Sequence, residues 1–550
     1  MLRVDRRLVS FGVFALAFGG MGGPVAQDLV LRGVHVYTGT DELWPEDRLV
    51  VKSGRIAAPG SKVADTVHTI DLRGAFVVPG LCDAHAHLSG LGAALRSVDL
   101  VGTKSYAEMI ERIVARAKTT RPGEWILGRG WDQNDWADKR FPLHDELSRA
   151  LPDHPVWMVR IDGHAAFANA RAMEVAGVTR ASRAPSGGEI LLDDGGEPSG
   201  VFVDTAMSLV GGSIPEIAGD MLREDLLRAH DHCVALGLTA IHDAGMGEAE
   251  IAIVRELLLA GRWHLRVHAM LPMSAKTARA KGPWQTPDGM LVVRAVKAYA
   301  DGALGSRGAA LLEPYADRSN TRGLMIHGRG ALEALARECH ALGFQLCTHA
   351  IGDAANRIVL DAYEAAVPAA DRERVRFRIE HAQVVHRDDF ARFARLSVIP
   401  SMQPTHMTSD MPWAPTRLGA ERTEGAYAWT TFLALGLALP FGSDFPVESA
   451  DPRLGLYAAI TTRAPDGSGP PDGFRPSGAL DRKSALRSFT LDAAYAAFAE
   501  RDQGSIEVGK RADFTILDRD LLTCDPSAIL DAKVLATVVD GRVAFRAEAR

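Results

Sequence analysis

The chain predicts a (β/α)8 barrel of the TIM type, an α/β fold with a small β-domain built from both chain ends and a large insertion after the first barrel strand. Three observations predict it. Between residues 77 and 494, eight strand-like runs are mostly separated by helix-like stretches, and eight βα units close into a parallel barrel. Residues 27–76 and 495–550 share another texture, of short alternating strands and tight turns. Ligand-type side chains fall late in the barrel runs, at the strand ends where such barrels carry catalytic groups.

Residues 1–26 read as a secretory signal peptide. Arg3, Arg6 and Arg7 precede an apolar run over 8–18, and small residues lead to a cleavage point after Ala26. That run is too short for a membrane span. The mature protein is expected to be exported, periplasmic or secreted, and to have no membrane partner. DLVLRGVHVYTG and RLVVKSGRIAA then alternate apolar and polar residues, and SIEVGKRADFTILDRD and VLATVVDGRVAF return to this texture at the far end. Each end is too short to build a core by itself, so one β-domain assembled from both is expected.

The barrel opens with VVPGLCDAHAHL (77–88). Side chains alternate along a strand, so Asp83, His85 and His87 share a face. The two histidines stand roughly 6.6 Å apart at Cα, a gap that two imidazoles can close on one divalent ion. Further runs begin at Leu238, Leu265, Val292, Phe344, Val375, Ser397 and Leu437, with His242, Lys297, His349, His381 and Asp444 late in theirs. The interval 97–230 is far longer than a βα connection and carries its own strand candidates, EWILGRG and PVWMVRID. It is expected to be an inserted lid on the catalytic face that carries pocket residues.

Composition narrows the partners. A formal net charge of −7 and a pI near 6.2 leave no basic footprint for nucleic acid. The 5 cysteines include no C-x-x-C, which points to buried thiols and away from a zinc knuckle or a disulfide framework. A homo-oligomer is left open.

Taken singly, His349 and His381 suit satisfied core histidines, Asp444 a turn cap and Lys297 an ion-pair partner. Their order says more. His-x-His on the first run is followed by Lys, His, His and Asp on the fourth, fifth, sixth and eighth. Imidazole and carboxylate are donors that zinc and its neighbours take.

With VVPGLCDAHAHL, GRGWDQNDW (128–136), DGHAAFAN (162–169), VKAYADGALGSR (296–307), THAIGD, IEHAQ, SMQPTH (401–406), GSDFP and GSIEVGKRAD (504–513), the chain resembles the amidohydrolase superfamily over nearly its whole mature length. Within it the chain is similar to the amidohydrolase-3, YtcJ-like family, whose relatives include N-substituted formamide deformylases. The resemblance implies two divalent metal ions, zinc first among them. His85, His87 and Asp444 would hold one, and His349 and His381 the other. Lys297 would bridge both after reacting with carbon dioxide to form a carbamate, which requires a neutral amine. Asp444 would also be catalytic, moving a proton during hydrolysis of a non-peptide amide C–N bond in a small molecule. Trp131, His164, Gln403 and His406 are candidates for the substrate wall.

Two other functions are weighed against this one. A ring deaminase on the same scaffold calls for a His-x-x-Glu, but Ala350, Ile351 and Gly352 follow His349. An exported binding protein without turnover calls for a lost ligand, and each expected ligand position is filled.

Overall fold

The computed structural model describes residues 28–160, 165–185, 188–215, 219–305 and 307–548. The expected signal peptide lies outside the described residues, as does His164. Among the described residues no helix is long and apolar enough to cross a membrane.

Seven parallel strands form the barrel wall and pair in chain order: Leu81–Ala86, Leu238–Asp243, Arg266–Pro272, Leu291–Tyr299, Gln345–Ala350, Arg378–His381 and Ile399–Ser401. Nearly all of their residues are buried because helices cover the outer face while side chains fill the inside. The helix Asp353–Ala366 shows the fit, burying Ala355, Val359, Ala362, Tyr363 and Ala366 at three- and four-residue spacing. These pack with Leu346 and Ile379 of the wall in one core. The helix Arg329–Leu342 stops at Gly343, whose φ of 79° provides the left-handed cap before the next strand.

The eighth run differs from expectation. Residues 437–446 are not a regular strand: Pro440 lacks an N–H, and the pairing is reduced to an isolated bridge between Phe441 and Met402. They nevertheless close the barrel as an extended segment. Gly442 N donates to Met402 O (3.0 Å), Ala84 N to Phe441 O (3.0 Å) and Asp444 N to His85 O (2.7 Å). A Cβ at Gly442 would lie 2.4 Å from His85 N, so this close approach requires glycine.

Both chain ends build one seven-stranded sheet. Leu29–Val36, Arg48–Lys52, Arg55–Ile56 and His68–Pro79 come from the N-terminal part, and Phe514–Leu517, Val534–Val539 and Arg542–Arg546 from the C-terminal part. Phe514–Leu517 pairs antiparallel with the end of His68–Pro79, which runs past residue 76 almost directly into the first barrel strand. At the joint, the buried Arg266 of the barrel pairs with Asp513 of the sheet (Nε to Oδ2 2.7 Å, Nη2 to Oδ1 3.0 Å) and reaches Asp540 at 3.2 Å.

The insertion forms a six-stranded sheet from Val98–Asp99 to Pro198–Asp204, with a separate apolar cluster on each face. It closes earlier than residue 230. The helix Gly219–Ala235 packs against Leu88–Arg96, with Arg96 Nε bonded to Asp225 at 3.0 Å, and so belongs with the barrel's outer helices.

Removing Asp513 leaves the buried Arg266 guanidinium only its contact to Asp540 at 3.2 Å. Asp513→Ala is expected to destabilise the protein by about 3 kcal/mol. Chemical denaturation of both proteins checks this, and an unchanged midpoint would contradict it.

Candidate metal centre

The barrel's C-terminal strand ends open into a cavity of about 400 Å³. His85, His87, Lys297, His349, His381 and Asp444 all line it, so the structure brings the six expected ligands to one place. His406 joins them, and Tyr299, Leu304, Ile351, Trp413 and Val447 supply an apolar wall. Gln383, Asp410 and Glu448 line the polar side. A wider groove of about 850 Å³ runs past Arg357 and His386 but contains none of the expected ligands.

Each donor reaches the cavity for a local reason. His85 lies on the first strand, and His87 immediately follows it as the residue before the helix Leu88–Arg96. His381 ends its strand with φ 71°, and Asp444 has φ 62°. These left-handed conformations each cost about 1–3 kcal/mol for residues with a Cβ, and they aim the side chains off the strand direction. Asp83 shares the inward face with His85 but turns to the barrel closure, accepting from Ser443 Oγ at 2.6 Å.

Two groups of three donors emerge, sharing Asp444. The ligand atoms of His85, His87 and Asp444 lie within 4.8 Å of one another, as do those of His381, His406 and Asp444. His87 Nε2 is 3.1 Å from Asp444 Oδ1, and His406 Nε2 is 3.7 Å from Oδ2. Lys297 Nζ stands 3.1 Å from His85 Nε2. His349 lies outside both groups, with its ring 4.5 Å from that of His381 and its Nε2 3.6 Å from Asp301 Oδ1. Asp301 is committed to the backbone N–H groups of Ala310, Ile351 and Gly352, and Arg307 pairs with Asp317.

The protonation states suit ligation. Burial, reinforced by the nearby Lys297, lowers His85 to about 4 and His349 to about 3, and burial also takes His381 well below the usual imidazole range. These rings are therefore neutral, the form that binds a metal ion. Burial lowers the Lys297 amine as well. Burial works to raise Asp444, but the His87 hydrogen bond and the surrounding histidines outweigh it and hold the carboxyl well below its ordinary value. Among the described residues, the Nε2 atoms of His349 and His406 are buried without a hydrogen-bond partner. Unsatisfied nitrogens of this kind, in a cluster that holds an ionised carboxylate, fit a divalent cation.

Three candidates for the substrate wall need correction or relocation. Trp131 is fully buried inside the inserted sheet, donating Nε1 to Met158 O at 2.8 Å and packing against Trp136 and Phe167. Its indole is satisfied there, so it belongs to the insertion's core. Gln403 sits behind His381, its Oε1 2.8 Å from Nδ1, and does not line the cavity. His406 does face the cavity, but as part of the donor cluster. None of the insertion's described residues lines the cavity, so the expected lid supplies no described pocket residue.

Sequence reasoning missed Tyr299, Leu304, Asp410, Trp413 and Glu448. Tyr299 follows Lys297 by two and was visible in principle from strand alternation. Leu304, Trp413 and Glu448 lie in irregular connections and Asp410 ends the short helix Pro404–Asp410, where no long periodicity marks a wall residue.

Histidines and a shared carboxylate at the open end of a parallel barrel define the class, a metal-dependent hydrolytic enzyme. The chain belongs to the Amidohydrolase family, whose profile matches residues 68–545. It is 30% identical to YtcJ of Bacillus subtilis (strain 168), covering 94% of this chain and 99% of that one. It is 27% identical to the N-substituted formamide deformylase of Arthrobacter pascens, over 94% and 98%. The crystal structure of an uncharacterized metal-dependent hydrolase from Pyrococcus horikoshii OT3 superposes with a TM-score of 0.75 at 30% identity, covering 91% of this chain and 99% of that one.

His406→Ala should lower bound metal as His381→Ala does. Trp131→Ala should instead leave metal content unchanged and cost about 3–5 kcal/mol of stability. Elemental analysis of dialysed protein and thermal unfolding separate the two effects. Full metal retention in His406→Ala would return that residue to the substrate wall.

Proposed function

We propose that the protein hydrolyses a non-peptide amide C–N bond in a small, partly apolar molecule. The observation that carries this reading is the pair of donor groups sharing Asp444 beside a buried lysine, at one end of an apolar-walled cavity. His85, His87 and Asp444 would hold one divalent ion, and His381 and His406 a second, with His349 beside them. Zinc or a similar ion held there supplies Lewis acidity, which polarises a carbonyl and lowers the pKa of water toward ~7.

The chain's own groups divide the remaining work. Asp444 is ionised, and its two oxygens face different histidines. It can accept a proton from the attacking water and deliver it to the leaving nitrogen. Tyr299, Leu304, Ile351 and Trp413 offer apolar surface to the acyl or amine group, and a cavity of about 400 Å³ suits a small substrate. The deformylase relative makes N-substituted formamides the first compounds to try.

Lys297 is assigned the carbamate. Its amine is buried and depressed toward the neutral form, and its nitrogen faces the donor cluster. The neutral Nζ would form an N–C bond to carbon dioxide as one C–O π bond opens to a carboxylate, and its surplus proton would pass to water, leaving an anionic donor in place of the amine.

Metal-replete protein should release amine from members of a small-amide panel, and chelation should abolish this. Asp444→Asn should lower kcat by about 10²–10⁴-fold while keeping more metal than His85→Ala. Ammonia release from amino-heterocycles, with no amide cleaved, would instead mark a ring deaminase.

Reactivation of metal-free protein should be faster and fuller with metal plus bicarbonate than with metal in carbon-dioxide-depleted buffer. Lys297→Ala should lose activity and show no bicarbonate effect. Wild-type reactivation independent of bicarbonate would remove the carbamate from the reading.

A further inference from the structure

Directly beneath the donor cluster lies a charged pair that the hydrolytic reading does not use. Alternation along Arg378–His381 puts Arg378 and Glu380 on the same inward face, and both are fully buried. Arg378 Nη2 donates to Glu380 Oε2 at 3.0 Å, and Nε sits 2.7 Å from Oε1 as a charge contact off the N–H direction. The guanidinium is tied to neighbouring strands as well. Nη2 donates to Ala84 O (2.7 Å) and Ser401 Oγ (2.8 Å), and Nη1 faces His242 Nδ1 at 3.0 Å. Glu380 therefore cannot swing without breaking the guanidinium's cage.

The other contact of Glu380 is to the metal centre. Its Oε2 lies 2.5 Å from His85 Nδ1. A carboxylate paired with arginine accepts hydrogen bonds and donates none, so the His85 proton must sit on Nδ1. The lone pair is then on Nε2, which points toward Lys297 Nζ at 3.1 Å and Asp444 Oδ1 at 3.5 Å. His381 offers an internal contrast. Its Nδ1 meets the neutral amide oxygen of Gln403 at 2.8 Å, an orientation supported by Gln403 Nε2 donating to Ser401 O. The two histidines have similar geometry, but only the His85 partner carries charge.

We infer that Glu380, caged by Arg378, is the positioning residue that commits His85 to present Nε2 to its metal ion. This rests on the reading of His85 as a metal donor. A carboxylate behind a metal-bound imidazole fixes ring orientation and tautomer and raises ligand basicity. Without it the ring can turn about χ2 or move its proton to Nε2, and in the second case it has no lone pair to give.

The test uses the full chain and three proteins: wild type, Glu380→Gln and Glu380→Asp. The glutamine keeps the size but can offer its NH₂ to Nδ1, and the aspartate keeps the charge opposite Arg378 but falls one methylene short of His85. Cobalt(II) titrations against a competing chelator read the affinity of each ion, and absorption spectra read its coordination. Both variants should bind one ion about 10–100-fold more weakly, with an altered cobalt spectrum, and retain the other near wild-type affinity. Either variant folding with both affinities unchanged would overturn the inference and leave Glu380 as a counter-charge for Arg378. Wild type binding no ion would overturn the metal reading itself, and this inference with it. Should neither variant fold, long-range ¹H–¹⁵N histidine spectra of the wild type decide, with the His85 signal identified by its loss in His85→Ala. A proton on Nδ1 is expected, and one on Nε2 would overturn the inference.

Discussion

Asp444 can serve two histidine groups because the chain that carries it is wedged against the first barrel strand. Residues 437–446 give up regular strand pairing, and in exchange Asp444 N reaches His85 O while Phe441 O takes the Ala84 N–H. Asp83 locks the same seam through Ser443. These bonds offset the left-handed backbone at Asp444 and put its carboxylate between His87 and His406. A flat, fully paired eighth strand would have kept successive side chains on alternate faces and could not have aimed the carboxylate in this way.

Burial sets the chemical state of the centre. Several imidazoles and one lysine are taken out of water together, which disfavours their charged forms and leaves nitrogen lone pairs exposed to the cavity. A cluster of that kind is unfavourable for stability when its nitrogens have no partners. The compensating negative charges are few and well placed. Asp444 lies inside the cluster, and Glu380 lies beneath it with its own arginine. Such a buried pair contributes little net stability, since desolvation nearly cancels its attraction. Its geometry is what it supplies to the centre.

The periphery follows a different logic. The inserted sheet and the terminal β-sheet each bury their own apolar clusters, and Trp131 belongs to the first of these. Most of the apolar wall of the cavity instead comes from connections after the fourth, fifth, seventh and eighth runs, which bring in Leu304, Ile351, Trp413 and Val447. Loops at this end of a barrel vary without disturbing the strands, so substrate choice can be set there while the donors stay on the wall.

Periodicity and order were enough to read the barrel and the shared terminal sheet, and to put His85, His87, Lys297, His349, His381 and Asp444 late in their runs, from where all six line one cavity. Strand alternation and strand-end position are local properties, which is why they can be read along the chain. The sequence also showed IEHAQ, but nothing local distinguishes a glutamate that holds an imidazole from one that pairs with an arginine, and here it does both. The partnering of His406 with His381, the retreat of Gln403 behind the ring and the burial of Trp131 were decided by the tertiary structure. Each depends on which segments meet across the barrel. Those meetings join residues from 22 positions apart, as with His381 and Gln403, to 357 apart, as with His87 and Asp444, and no spacing rule along the chain encodes them.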